Sequence, residues 1–224
     1  MTLLYLIYCS CTHGAVFGRC PYRADSVIGL VMKTRDKIID IAIQLFNEQG
    51  TKVVSTNHIA SAVGISPGNL YYHFSNKEDI IRAIFEQMDA YGFEQYQIIL
   101  AKYQPWSIEA MEQTFIMIQE YNWRYRFFKR ELTVLIMNDA ILKERFHATN
   151  CQMISLIRHT IDCGIASGSI KALNDAEKES FADAIWLVAL FWLNYLEVGG
   201  DEVNESSLRR GSVVLRTIIM PYLV

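Results

Sequence analysis

From residue 33 onward, apolar positions recur with the period of an amphipathic α-helix. The first such stripe falls at i, i+3, i+4, i+7 and i+8 and consists of Ile38, Ile41, Ala42, Leu45 and Phe46. Gly50 follows it, and a glycine at that position commonly ends a helix. The pattern therefore predicts a first helix that begins near Lys33 and ends before Gly50.

Two short helices are predicted next. Ser55 or Thr56 can cap a helix whose apolar residues Ile59, Ala60 and Val63 face inward, and Gly64 predicts its end.

The third helix is predicted to begin at Ser66, with Pro67 at the first helical position, where its missing N–H costs nothing. On this helix, Leu70 and Phe74 are spaced to form the buried face.

Longer helices are predicted for the rest of the chain. Ser75 and Glu78 match the S-x-x-E capping box and predict the start of a fourth helix. The periodic segments lie at about 77 to 100, 106 to 122, 124 to 138, 140 to 166, 175 to 198 and 204 to 220. Strand patterns are nearly absent. We expect an all-α fold of about nine helices, with an N-terminal three-helix unit followed by a larger helical bundle.

The two short helices and the turn from Gly64 to Ser66 are typical of a helix-turn-helix, whose second helix enters the DNA major groove. The N-terminal end of that helix meets base edges, and this end contains Ser66, Gly68 and Asn69. Because Gly68 has no side chain, it would let the backbone approach the duplex closely. Helix starts at Ser55/Thr56 and Ser75 also offer free N–H groups to phosphates.

Residues 34–88 resemble the DNA-binding domain of TetR-type transcriptional regulators. Three ordered blocks carry the resemblance: A-x-x-L-F-x-x-x-G from Ala42 to Gly50, I-A-x-x-x-G-[IV]-S from Ile59 to Ser66, and G-x-L-Y-x-H-F-x-x-K from Gly68 to Lys77. The resemblance implies a homodimer that reads a palindromic operator in double-stranded DNA, with a C-terminal domain for dimerisation and often for an inducer. The segment 126 to 146 resembles the C-terminal part of a subset of these regulators.

The predicted DNA contacts fall into two groups. Tyr72, His73 and Lys77 are expected on phosphates, because they offer a hydroxyl, an imidazole N–H and an ammonium. Pro67 stands where many relatives carry a basic or small polar side chain. Base choice is therefore expected to rest mainly on Ser66, Asn69 and Tyr71, with Thr56 and Asn57 of the preceding helix. The full predicted set is Ser55, Thr56, Asn57, Ser66, Gly68, Asn69, Tyr71, Tyr72, His73 and Lys77.

The C-terminal part is rich in aromatic and methionine side chains, which can line a pocket for an apolar small-molecule effector between helices. The alternative interpretation is that most of them form the core. The candidate ligand-binding residues are Trp106, Met117, Tyr121, Phe127 and Met137.

The most apolar stretch, residues 184 to 196, is too short for a bilayer span and is bracketed by Asp183 and Glu197. It predicts a buried helix and no membrane contact. Together with 208 to 220 it is expected either to form a four-helix dimer interface or to belong to the core of one chain.

Composition adds constraints on domains and compartment. Residues 32 to 82 carry six Lys/Arg against five acids, whereas the part from residue 83 carries thirteen against eighteen. Five cysteines without a paired spacing suit a reducing cytoplasm.

We expect three segments: 1 to 31 as an extension, disordered or not native with a start at Met32, 32 to 80 for DNA binding, and 81 to 224 for ligand binding and dimerisation. An export signal or a lipoprotein anchor at Cys9 fits residues 1 to 31 poorly, because no basic residue precedes the apolar run and Tyr8 is bulky.

Other function classes have less support. His73 lacks companions at metal-ligand spacing, and the Glu-x-x-His of Glu144 and His147 occurs once, where di-iron bundles use two copies. No nucleophile with an adjacent base, no paired carboxylates and no phosphate-binding glycine loop is recognisable. We therefore expect a regulator with no cofactor, metal or catalytic residue, and the resemblance to TetR-type regulators implies that it is a repressor. A helical carrier or enzyme, and a protein-only interaction module, are the alternatives.

Overall fold

Nine α-helices make up most of the residues that the structure, a computed structural model, describes, which are residues 33–224. They are α1 (Thr34–Gln49), α2 (Thr56–Val63), α3 (Pro67–His73), α4 (Lys77–Leu100), α5 (Ile108–Arg124), α6 (Arg126–Asn138), α7 (Ala140–Ala166), α8 (Asp175–Gly199) and α9 (Glu205–Ile219), followed by a 3-10 turn at Met220–Tyr222. Within residues 33–224 extended pairing is limited to one antiparallel bridge between Ile170 and Leu223. The all-α prediction is confirmed.

Local signals explain most helix ends. The Ser66 side chain accepts a hydrogen bond from the Asn69 amide, with Pro67 in the first turn of α3, as predicted. Gly64 ends α2 in the left-handed region, with φ of 79°, where glycine carries no steric penalty.

The predicted capping box of α4 is wrong by one residue. Asn76, not Ser75, is the N-cap, and its side-chain oxygen accepts a 2.7 Å hydrogen bond from the Asp79 amide. The Ser75 amide instead donates to the Asp79 carboxylate at 3.1 Å. Asn is as good an N-cap as Ser, and the Asp79 carboxylate accepts from the residue before the N-cap, so the reciprocal bond of a capping box is not formed.

Two hydrophobic clusters organise the described chain. The first joins the apolar faces of α1 to α4 with α6, and it includes Leu70 and Phe74 as predicted. The second lies among α5, α7, α8 and α9. Gly211 on α9 lets the last helix approach closely, because a Cβ there would come within 2.6 Å of the Trp192 indole nitrogen.

Helix α8 is only half covered. Seven of its residues are buried, including Trp192, Leu193 and Leu196. Its opposite face exposes Leu187, Phe191, Tyr195 and Val198. The predicted all-round burial of 184 to 196 is therefore not reached within one chain.

The prediction about residues 1 to 31 and a start at Met32 lies outside the described residues, as do Cys9, Cys11 and Cys20.

Candidate nucleic-acid interface

The surface of the helix-turn-helix is polar and open, whereas its inner side is apolar. On α3, Leu70 is fully buried, while Tyr72 is 85% exposed and Tyr71 is 50% exposed. The Tyr71 hydroxyl lies 3.0 Å from Thr56 Oγ1, which ties the exposed side of α3 to the first turn of α2. The Tyr72 and His73 rings meet edge to face with centroids 5.1 Å apart.

The predicted DNA-contact residues share this surface. Seven of them are exposed, namely Ser55, Asn57, Ser66, Gly68, Asn69, Tyr71 and Tyr72. The other three are half-buried, namely Thr56, His73 and Lys77. Ser55 is the N-cap of α2 and accepts from the His58 amide at 3.2 Å. The surface therefore contains two capped helix starts, at Ser55 and at Ser66, and a helix start offers N–H groups suited to anions.

Lys77 has a structural bond that the sequence did not predict. Its ammonium donates to the main-chain carbonyls of Thr51 and Val54, the latter at 3.1 Å. The side chain thus holds the loop between α1 and α2 against the start of α4. An ammonium has three donors, so one stays available to a phosphate.

The first turn of α4 is anchored by charge. Arg82 forms ion pairs with Asp79 and, at 2.5 Å, with Asp139 at the start of α7. The hydrogen bond from Arg82 lowers the pKa of the Asp79 carboxyl, against the opposing effect of desolvation. This bridge connects the DNA-binding unit to the bundle.

Two more links to the bundle were missed by sequence reasoning. Asn47 on α1 donates to the Arg124 carbonyl at 2.9 Å and accepts from the Phe127 amide at 3.0 Å, so one amide group satisfies both sides of the α5–α6 junction. Glu131 on α6 accepts from the Thr51 amide at 2.9 Å and from the Thr51 hydroxyl. These pairs are 77 to 80 residues apart, and no local pattern indicates them.

The candidate ligand residues do not share one location. Tyr121 packs against Tyr125 with centroids 5.2 Å apart, inside the bundle. Phe127 packs against Phe46 of α1, which places it at the junction with the DNA-binding unit. Met137 is 76% exposed. Trp106 and Met117 are half-buried. Tyr121 and Phe127 both border the first hydrophobic cluster, with Phe127 almost fully buried and Tyr121 half-buried, whereas Met137 lies at the surface.

The bundle interior contains polar groups that the sequence analysis did not single out. Gln119, Asn122 and Lys129 are all buried. Desolvation lowers the pKa of Lys129 to about 8, with Asp89 acting in the opposite direction. Desolvation also raises the pKa of Tyr121 well above its usual value. A lysine in the apolar register of α6, in line with Leu132, was the available sequence signal.

The geometry of the described residues gives little support to a metal site or to a membrane-spanning helix. Across residues 33–224, no group of three potential metal-ligating side chains comes together. By length and composition, α8 is the one described helix that could cross a bilayer, and its inner face packs in the bundle.

Family comparisons agree with this architecture. Residues 38–84 match the model described as "Bacterial regulatory proteins, tetR family", and residues 94–224 match the model described as "Bacterial transcriptional repressor". The second match alone covers more than half of the chain. A helix-turn-helix on a helical bundle defines a class of DNA-binding transcriptional regulators, and this chain belongs to the TetR family.

Similar proteins span most of the chain. The transcriptional repressor KstR2 of Rhodococcus jostii is 28% identical over 210 residues, which cover 90% of this chain and 98% of KstR2. The regulator AcrR of Shigella flexneri is 41% identical over 54 residues, only 25% of its own length. A TetR-family regulator from Marinobacter aquaeolei superimposes with a TM-score of 0.74 at 31% identity, covering 86% of this chain and 92% of that one.

Proposed function

We propose that this regulator acts as a homodimeric repressor that binds a palindromic operator through α3 and leaves it when an apolar effector enters the bundle. The observation that carries the DNA half of the proposal is the surface formed by α2 and α3, which combines two capped helix starts with the 85% exposed Tyr72 at the end of α3. KstR2, similar over nearly its whole length, is named a repressor.

Within the interface, side-chain position suggests different roles. Asn69 lies in the first turn of α3 and is exposed, so it is suited to a base edge together with Ser66 and Tyr71. Tyr72 and His73 lie at the far end of the same helix and suit phosphates. Lys77 contributes by holding the loop before α2 and by its remaining N–H.

The exposed apolar face of α8 supports a dimer. Leu187, Phe191, Tyr195 and Val198 recur every three or four residues, which places them on one face of the helix. Val213 on α9 and Met220 in the 3-10 turn after it are further exposed apolar side chains. A self-complementary four-helix interface would cover these side chains and place two recognition helices about 34 to 36 Å apart.

The effector response is proposed to pass through α6. This helix belongs to the hydrophobic cluster of the DNA-binding unit, yet Asn194 and Glu197 of α8 bond to it from the bundle side. A ligand that displaces α6 would therefore move the Thr51–Glu131 contact and, with it, the loop that precedes the DNA-binding helices.

We also propose that the DNA-binding domain ends and the ligand-binding and dimerisation domain begins near residue 80, inside α4. This helix starts in the DNA-binding unit and continues along the bundle. The absence of a catalytic role and a location in the cytoplasm complete the proposal, in line with the family.

The test is a fluorescence-anisotropy titration of the purified chain with duplex DNA from upstream of its own gene and with a scrambled duplex. We expect preferential binding of the upstream duplex and loss of affinity as salt rises. The α3 variants in the Discussion locate the interface, and Asp183→Asn, at an exposed position outside it, is the control. Equal binding of both duplexes at every salt concentration would refute the proposal.

A further inference from the structure

Lys129 is the one ionisable side chain among the buried polar residues of the described chain, with 8% of its surface exposed. Within residues 33–224 its ammonium forms no hydrogen bond and no ion pair. The contact recorded for it is the Tyr121 ring, whose centroid lies 6.0 Å from Nζ. Burying most of a lysine side chain without a paired counter-charge is unfavourable, so a group of opposite charge would be bound favourably at this position.

The nearest carboxylate is already engaged. Asp89 on α4 influences Lys129 electrostatically, but it accepts a 2.8 Å hydrogen bond from the Thr149 hydroxyl of α7 and keeps access to solvent. Asp89 therefore reduces the cost of the buried ammonium without pairing with it.

Two buried asparagine oxygens without partners lie on helices next to α6. The Asn194 amide donates to the Lys129 carbonyl at 3.1 Å, and its own oxygen has no hydrogen-bond partner. Asn122, fully buried on α5, donates to the Ala189 carbonyl at 3.3 Å, and its oxygen is also unpaired. Ala189 and Asn194 are five residues apart on α8, or roughly 7.5 Å along the helix. Buried polar atoms are rarely left unpaired.

We propose that Lys129 is the anion anchor of the effector site, and that the effector is an apolar molecule with a single carboxylate. The carboxylate would accept a charge-assisted hydrogen bond from the Lys129 ammonium. Tyr121 and its neighbour Tyr91, whose rings are nearly parallel with centroids 6.3 Å apart, provide an aromatic wall for the apolar part. A donor group on the effector would satisfy the Asn122 or Asn194 oxygen. This inference rests on the proposed effector response and narrows its chemistry.

The test compares matched carboxylates and alcohols by isothermal titration calorimetry. The probes are dodecanoate with 1-dodecanol and 4-phenylbenzoate with 4-biphenylmethanol. We expect at least one carboxylate to bind ten times more tightly than its alcohol. Lys129→Met should remove that preference. The affinity for the carboxylate should fall at least tenfold, whereas the affinity for the alcohol should change less than threefold. Lys143→Met, the same substitution at an exposed lysine of α7, should keep the preference.

Two further variants keep the test decisive. Lys129→Gln replaces Lys129→Met if the latter does not fold, as judged by circular dichroism. Asp89→Asn removes the carboxylate that competes for the ammonium, and we expect carboxylate binding to strengthen several-fold. The inference is overturned if neither carboxylate binds more tightly than its alcohol, including no binding by any probe, or if the preference survives without the lysine.

DNA titrations of the same preparations separate this inference from the proposed function. Specific binding to the upstream duplex without a carboxylate preference would refute the anion anchor and leave the repressor proposal standing. A carboxylate preference without specific DNA binding would support the anchor as a ligand site and refute the repressor proposal.

Discussion

The DNA-binding unit and the bundle differ in what they bury. Around α3 the buried side chains are apolar, as with Val54, Ile59 and Leu70, and the one buried polar residue of this unit in the described chain, Thr51, is hydrogen-bonded to Glu131. The bundle instead encloses Gln119, Asn122 and Lys129 and leaves two asparagine oxygens unpaired.

This difference indicates different tasks. An apolar core with capped helices gives a rigid platform, which suits a surface that must present the same side chains to DNA each time. Unpaired polar groups in an interior lower stability, and they cluster where a ligand is to be recognised.

The largest expected effect comes from removing a core side chain of the platform. Leu70→Ala should lower the free energy of unfolding by about 2 to 5 kcal/mol, because it deletes a fully buried side chain and leaves a cavity. Urea unfolding followed by circular dichroism measures it. Val53→Ala, at a position 61% exposed, is the control and should stay within about 0.5 kcal/mol of the parent. Equal stability of Leu70→Ala and the parent would contradict the platform description.

In the bundle we expect a substitution to raise the free energy of unfolding. This substitution is Lys129→Met in the ligand-free protein. The pKa of Lys129 is lowered from 10.5 in the unfolded chain to about 8 in the fold. Between these values the unfolded chain holds a proton that the folded chain lacks, so the parent gains stability as the pH rises from 8 to 10.5. At pH 7 the variant should be more stable by about 3 kcal/mol.

Urea unfolding at pH 7 and at pH 10 tests this, and the advantage of Lys129→Met should shrink at the higher pH. Lys143→Met, at an exposed site, should show no such change. A destabilised Lys129→Met at pH 7 would mean that the lysine is paired in solution.

Within the DNA surface, two side chains of α3 should separate base reading from phosphate binding. Asn69→Ala is expected to relax the preference for one base pair, whereas Tyr72→Phe is expected to weaken binding to all duplexes similarly. Each change should cost about 1 to 3 kcal/mol of binding free energy. Anisotropy titrations on operator duplexes with single base-pair changes measure both. The assignment fails if Tyr72→Phe changes base preference while Asn69→Ala does not.

The smallest effect is expected where the two regions meet. Glu131→Gln weakens the bond to the Thr51 amide and hydroxyl without removing bulk. DNA affinity without effector should change little, whereas the effector-induced loss of affinity should shrink by about 0.5 to 2 kcal/mol. Glu120→Gln, at an exposed position of α5, is the control. An unchanged effector response in Glu131→Gln would exclude this contact from the coupling.

Much of the fold follows from local signals. The predicted bounds of α4 and α7 agree with the structure, because caps and apolar periods mark their ends. The position of the α4 cap was wrong because Ser75 and Asn76 are both good caps, and the sequence does not distinguish them.

The positions of the candidate ligand residues were less predictable. All five were chosen by residue type, and Phe127 packs against Phe46 while Met137 is exposed. Asn47 and Glu131 form hydrogen bonds with residues about 80 positions away along the chain. Such long-range pairs leave no periodic trace in a single sequence.

The most direct test of the central claim is selection of bound fragments from the organism's own genomic DNA by the purified chain, followed by sequencing. We expect enrichment of an inverted repeat whose half-sites are about 10 to 10.5 base pairs apart or a multiple of that spacing, with enrichment lost in Asn69→Ala. Enrichment of no common sequence, or of the same sequences by Asn69→Ala and the parent chain, would contradict a dimer that reads DNA through α3.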